Sequence, residues 1–167
     1  MTVKQIEFFT KHNNRGQAVL LSEFNNWRDP VTGSEIFGPV TAYSWKVNGA
    51  EKRIDDLKSK LLIHLLSDAS GFICFESDSK PDNCILLDAY GKERMRLTVP
   101  WQMTGSTSPE SGQPPTSFEN ISAPYVNPAD GKEGKFGVTA WVEYAGKHYF
   151  ELDYHTGQFL WCKRIMD

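Results

Sequence analysis

The sequence predicts an α+β fold: a mainly antiparallel β-sheet, built of two three-stranded meanders, with one main helix packed on a face. Three observations carry that expectation. Apolar and polar residues alternate over two separate stretches beyond Gly71, one stretch at 50–66 instead has apolar residues three and four apart, and Asn, Asp, Gly and Pro cluster between these segments. The 167 residues fit one domain spanning 1–167, and a chain of this size buries roughly 70% of the surface its unfolded form exposes.

The N-terminal third carries the weakest pattern, with a short helix expected over 3–11 and a strand over 17–22. Asn25, Asn26, Asp29, Pro30 and Gly33 then supply turn chemistry. Residues 40–47 are β-branched and aromatic and run into Asn48-Gly49, which predicts a strand ending in a turn. Over 50–66, Ile54, Leu57, Leu61 and Leu65 would form one helical stripe, with Asn48 as N-cap and 67–71 as the stop. Strands are expected at 72–77, 84–88 and 93–99, and again at 136–144, 147–153 and 158–165. Between the two meanders lies a long Pro/Gly/Ser-rich loop, 104–135, whose apolar anchors are Phe118, Ile121, Tyr125 and Val126.

Composition excludes several classes. Apolar residues make up 40% of the chain and aromatics 13%, too much for disorder by low hydrophobicity. A net charge of -3, without a basic stripe, argues against a protein that neutralises phosphates, so no nucleic-acid partner is expected. No apolar run approaches the ~18 residues of a membrane span, and residues 1–11 have neither a basic n-region nor an apolar h-region. The expectation is a cytoplasmic protein without a membrane partner. Cys74, Cys84 and Cys162 are odd in number and lack a Cys-x-x-Cys spacing, which predicts free thiols and no metal.

A two-residue turn at Ala145-Gly146 would set Trp141 opposite Phe150. One face would then hold Trp141, Phe150, Leu152, Phe159 and Trp161 as core. The other would carry Val138, Ala140, Val142, Tyr149, Leu160 and Cys162 together with Glu151, Asp153 and Arg164. A face half apolar and half charged suits a binding surface, so Tyr149, Glu151, Asp153 and Arg164 are the candidate partner-binding residues.

Glu151, Asp153 and His155 alternate and would project to one side, as a carboxylate–histidine pair or small metal site requires. The simpler reading is a polar strand edge entering its turn. It is preferred because the nearest further ligand, His148, would point to the opposite face. Ser77-Asp78-Ser79-Lys80 lies in a loop instead of opening a helix, and Gly131-Lys132-Glu133-Gly134-Lys135 lacks phosphate-loop spacing. No catalytic residue and no cofactor is therefore assigned. Three function classes stand: a protein-binding inhibitor, an enzyme using Glu151, Asp153 and His155, and a carbohydrate-binding or structural β-module.

Two hairpin segments, Leu152-Asp153-Tyr154-His155-Thr156-Gly157 with its flanking aromatic strands and Leu87-Asp88-Ala89-Tyr90-Gly91, occur in a short, acidic, β-rich chain. In this it resembles the small cytosolic immunity proteins that bacteria pair with toxins. The resemblance implies a non-enzymatic inhibitor that neutralises a cognate toxin by stoichiometric binding, with a protein partner such as a basic toxin domain, and without cofactor.

Overall fold

β-Strands dominate a computed structural model that describes residues 6–28, 30–34, 36–105 and 115–166. The described strands are β1 (Ile6–Asn13), β2 (Ala18–Leu20), β3 (Val40–Val47), β4 (Ala50–Asp55), β5 (Leu61–Leu65), β6 (Gly71–Glu76), β7 (Cys84–Asp88), β8 (Glu93–Leu97), β9 (Thr116–Ser122), β10 (Gly137–Val142), β11 (Gly146–Asp153) and β12 (Gln158–Met166). They form three four-stranded sheets ordered β2-β1-β3-β4, β5-β6-β7-β8 and β12-β11-β10-β9. Helical structure among the described residues is limited to 3₁₀ turns at Leu21–Asn26 and Trp101–Thr104.

The main helix expected over 50–66 is therefore two strands of different sheets, β4 and β5, joined by a loop, and the α+β class gives way to an all-β fold. Asp56 explains the change. Its buried carboxylate accepts the N–H groups of Lys60 at 2.9 Å and Leu61 at 2.8 Å, while its own carbonyl accepts Ser59 N–H at 2.9 Å. Asp side chains that bond nearby backbone offer the chain an alternative to the helical ladder. Ser59 completes the reversal at φ 51°. Leu57, placed in the helical stripe by its spacing, sits in this loop and is 83% exposed. Ile54, by contrast, pairs across to Tyr43 within β4 and β3. The three-and-four spacing arises from two strands joined by a loop.

The segment expected as a helix over 3–11 is strand β1 from Ile6 onward; residues 3–5 lie outside the described residues. Its alternation is broken by a bulge between Glu7 and Thr10, where Phe8 adopts φ 56°. In the 104–135 stretch, 106–114 lie outside the described residues and Thr116–Ser122 forms β9, paired with β10. Residues 125–134 fold back on themselves, with Gly134 N–H donating to Tyr125 O at 2.9 Å and Asn127 N–H to Lys132 O at 2.8 Å.

Contacts divide the chain into two compact units, Met1–Ile73 with Leu87–Glu93, and Cys74–Leu86 with Arg94–Asp167. In the first, Phe9 stacks on Tyr43 at 5.7 Å and packs on Phe72 at 5.1 Å, and Trp45 meets Phe72 at 4.6 Å while its indole N–H donates to Ala89 O at 2.8 Å. Gly91 lies so close that a Cβ there would fall 2.8 Å from the Trp45 ring. The second unit is centred on Phe150, Phe159 and Phe118, whose rings lie 5.9 Å apart in each successive pair, with Val138, Ala140 and Val142 buried beside them.

The register of the β10–β11 hairpin differs from the expected one. Val142 pairs with Gly146 and Val138 with Phe150, so the loop is the three residues Glu143, Tyr144 and Ala145. Moving the register by three residues exchanges the faces, because side chains alternate with a period of two. Phe150, Leu152 and Phe159 share one core face. Trp161 lies on the opposite face against Tyr149, with ring centroids at 5.3 Å, and Trp141 is 38% exposed.

Candidate functional site

Tyr149 and Glu151, two of the four expected partner-binding residues, are buried. The Tyr149 hydroxyl donates to Glu151 Oε1, and Glu151 Oε2 accepts the backbone N–H groups of Lys135 at 2.7 Å and Phe136 at 3.3 Å. Tyr125 packs on the Tyr149 ring at 5.0 Å. The pair thus clamps the 125–136 segment against its sheet. Gly134 and Gly137 permit this approach, since a Cβ would lie 2.0 Å from the Glu151 carboxylate at the first and 2.1 Å from the Tyr149 ring at the second. Burial, reinforced by Glu151, pushes the Tyr149 hydroxyl far above its ordinary pKa and keeps it a donor.

Asp153 ends β11 and accepts the N–H of His155 at 3.0 Å. Desolvation raises its pKa, but the donors of His155 and Thr156 together outweigh that and hold the carboxyl below its usual range. His155 lies in the following turn, its ring against Tyr154 at 4.7 Å. Glu151 is spent on the clamp, while Asp153 and His155 belong to the turn after β11. Arg164, the fourth expected partner-binding residue, is exposed on β12. Among the described residues no group of three His, Cys, Asp or Glu could hold a metal ion, and no helix among them is long and apolar enough to cross a membrane. Cys74 and Cys84 are buried and Cys162 is half-buried, none of them in a disulfide; burial pushes the Cys84 thiol strongly up, so it stays protonated.

One hydroxyl–imidazole pair was not foreseen. His12 Nε2 lies 2.7 Å from Ser44 Oγ across β1 and β3. Burial and the Arg53 charge lower the His12 pKa, and the nearby Asp55 carboxylate is bound by Arg53 Nε at 2.9 Å. The pair satisfies its own polar atoms on a sheet face.

The remaining features are exposed aromatics that alternation alone did not reveal. In the first unit, Ile6, Phe8, Phe9, Leu20, Leu21 and Leu65 line an apolar groove of about 360 Å³, with Phe8 60% exposed at its bulge. In the second, Tyr144 occupies the tip of the β10–β11 hairpin, 78% exposed and at φ 70°. Trp141, on the strand below, donates its indole N–H to Glu143 at 3.2 Å. The available signal was Gly146, at φ 91°, since hairpin loops use positive-φ residues.

No family model matches the chain, and no curated protein matches it in sequence. Its fold is similar to that of a chain in a solved structure described as "Structure of Tne2 in complex with Tni2", with a TM-score of 0.64 over 96% of this chain and 99% of that one, at 10% identity. At that identity the likeness is one of fold.

Proposed function

We propose that the chain is a protein-binding inhibitor of the immunity type, neutralising a toxin partner by stoichiometric association. The observation that carries this reading is the fold, shared along nearly the whole chain with a protein solved within the complex of Tne2 with Tni2. The side chains support it. The polar groups arranged like a catalytic set, Glu151, Asp153 and His155, are spent on a clamp and a turn, while large aromatics are left at the surface. Exposed Trp and Tyr are the residue types that dominate binding energy at protein interfaces.

The reading is tested by co-expressing the chain with the products of the genes beside its own and titrating the purified pair. A binding inhibitor forms a one-to-one complex and reduces its partner's activity linearly, reaching zero at one equivalent. Suppression by a small fraction of an equivalent, increasing with time, would mean that the chain acts by turnover and would overturn the reading.

A further inference from the structure

We infer that the end of the β10–β11 hairpin, Trp141 with Tyr144, is the docking surface for the partner, and that this partner is a basic protein. The inference rests on the binding role proposed above. Its first support is backbone conformation. A side chain at φ 70° is strained, and Gly or Asn accommodates that conformation with least cost. Here a tyrosine fills the position, and its ring gains little burial in return, being 78% exposed. Strained, exposed residues of this kind cluster where a ligand is gripped.

The second support is preorganisation. Trp141 is tethered through its indole N–H to Glu143 at 3.2 Å, so its orientation is set before any partner arrives. Across the strands it faces Ser117 and Lys147. It lies at the end of the sheet face away from Tyr149 and Glu151, where the 125–136 segment is clamped. The hairpin end therefore carries an exposed phenol in its loop and a part-exposed indole on the strand below.

The third support is charge, which selects the occupant. The first unit has ten acidic and ten basic residues, whereas the second has eleven acidic and eight basic ones, so the whole excess of -3 belongs to the unit that bears the hairpin. At the hairpin itself, Lys147 Nζ lies 3.7 Å from Glu119 and is offset by it, leaving Glu143 as the local charge. Aromatic anchors in a negative field suit a cationic surface, because complementary charge raises the association rate while the buried rings supply affinity. The apolar groove at Phe8 lies in the charge-balanced unit and provides the comparison.

The experiment is photocrosslinking in the native host with full-length chains carrying p-benzoylphenylalanine at position 144 or position 8. Both sites are exposed aromatics, so the substitution keeps their character. The inference expects a single crosslinked protein at position 144, with an isoelectric point above about 9, and at least tenfold less product at position 8. Raising the ionic strength should lower the yield at 144 several-fold, as screening requires. Crosslinking at 8 but not at 144 would overturn the docking surface while leaving the binding role intact. An acidic partner, or a second copy of this chain, at 144 would overturn the charge argument. Absence of a partner at both positions would count against the binding role itself.

Discussion

Tyr149 and Glu151 stand two residues apart on one strand, and their side chains share a buried hydrogen bond that closes the 125–136 segment onto the sheet. Glu151 is 5% exposed and satisfies two backbone N–H groups besides the phenol. Glu151→Gln keeps the shape but replaces one charged acceptor oxygen with a donor. The expected loss is about 1–3 kcal/mol, the usual consequence of leaving a buried polar partner unsatisfied. Hydrogen exchange should quicken first at the Lys135 and Phe136 amides. Unchanged protection there would show that the clamp does not hold the segment.

Asn83 works as a side-chain substitute for a strand neighbour. Its amide donates to Phe118 O at 2.9 Å and accepts Phe118 N–H at 2.8 Å, tying β9 to the start of β7 within the second unit. Asn83→Ala leaves both backbone groups buried without this partner, and a loss of about 2–4 kcal/mol is expected in chemical denaturation. A loss under about 1 kcal/mol would mean that water replaces the amide.

β3, β6, β7, β8, β10, β11 and β12 were legible because turn residues punctuate apolar strand-like runs; β3, for example, has the limits its sequence suggested. Two local devices hid the β4–loop–β5 segment and the β10–β11 register. Asp56 breaks an apparent helical stripe into two strands, β4 and β5, by bonding the backbone of the loop beyond it. Tyr144 at positive φ lengthens the next hairpin loop by one residue and shifts its register. That shift moved Tyr149 and Glu151 from an expected surface into the interior. It also moved Trp141 from the expected core toward solvent. Neither device has a composition signal, since each depends on the conformation of a single residue.

Acidification should destabilise the protein in two stages. His148 is buried, with Nδ1 at 3.1 Å from Gly146 O. Desolvation lowers its pKa below 6.5, the Gly146 bond opposes this in part, and the Arg164 charge adds to it. The unfolded chain therefore takes up the proton first, and stability falls as pH drops from about 6.5 toward the folded pKa. Glu76 follows at lower pH. The hydrogen bond from Arg96 at 2.6 Å, helped by Lys80, lowers its pKa below 4.5, so its contribution is lost as pH falls through that region. Thermal midpoints should decline from pH 7 to 5 and again below 4.5, and His148→Gln should reduce the first decline without abolishing it, because burial lowers the pKa of His12 as well. Equal midpoints at pH 7 and 5 for the wild-type protein would contradict this assignment.

Tyr144→Asn separates stoichiometric binding through the hairpin tip from any structural role for the same residue. Asn accepts positive φ more readily than Tyr, so the thermal midpoint should hold or rise, with up to about 1 kcal/mol of strain relieved. Calorimetric titration with the protein captured at position 144 should give one site for the wild-type chain. The variant should keep that stoichiometry with affinity weakened about thirtyfold, as expected for an interface anchor worth about 2 kcal/mol. Wild-type affinity in a fully folded Tyr144→Asn protein would contradict the account.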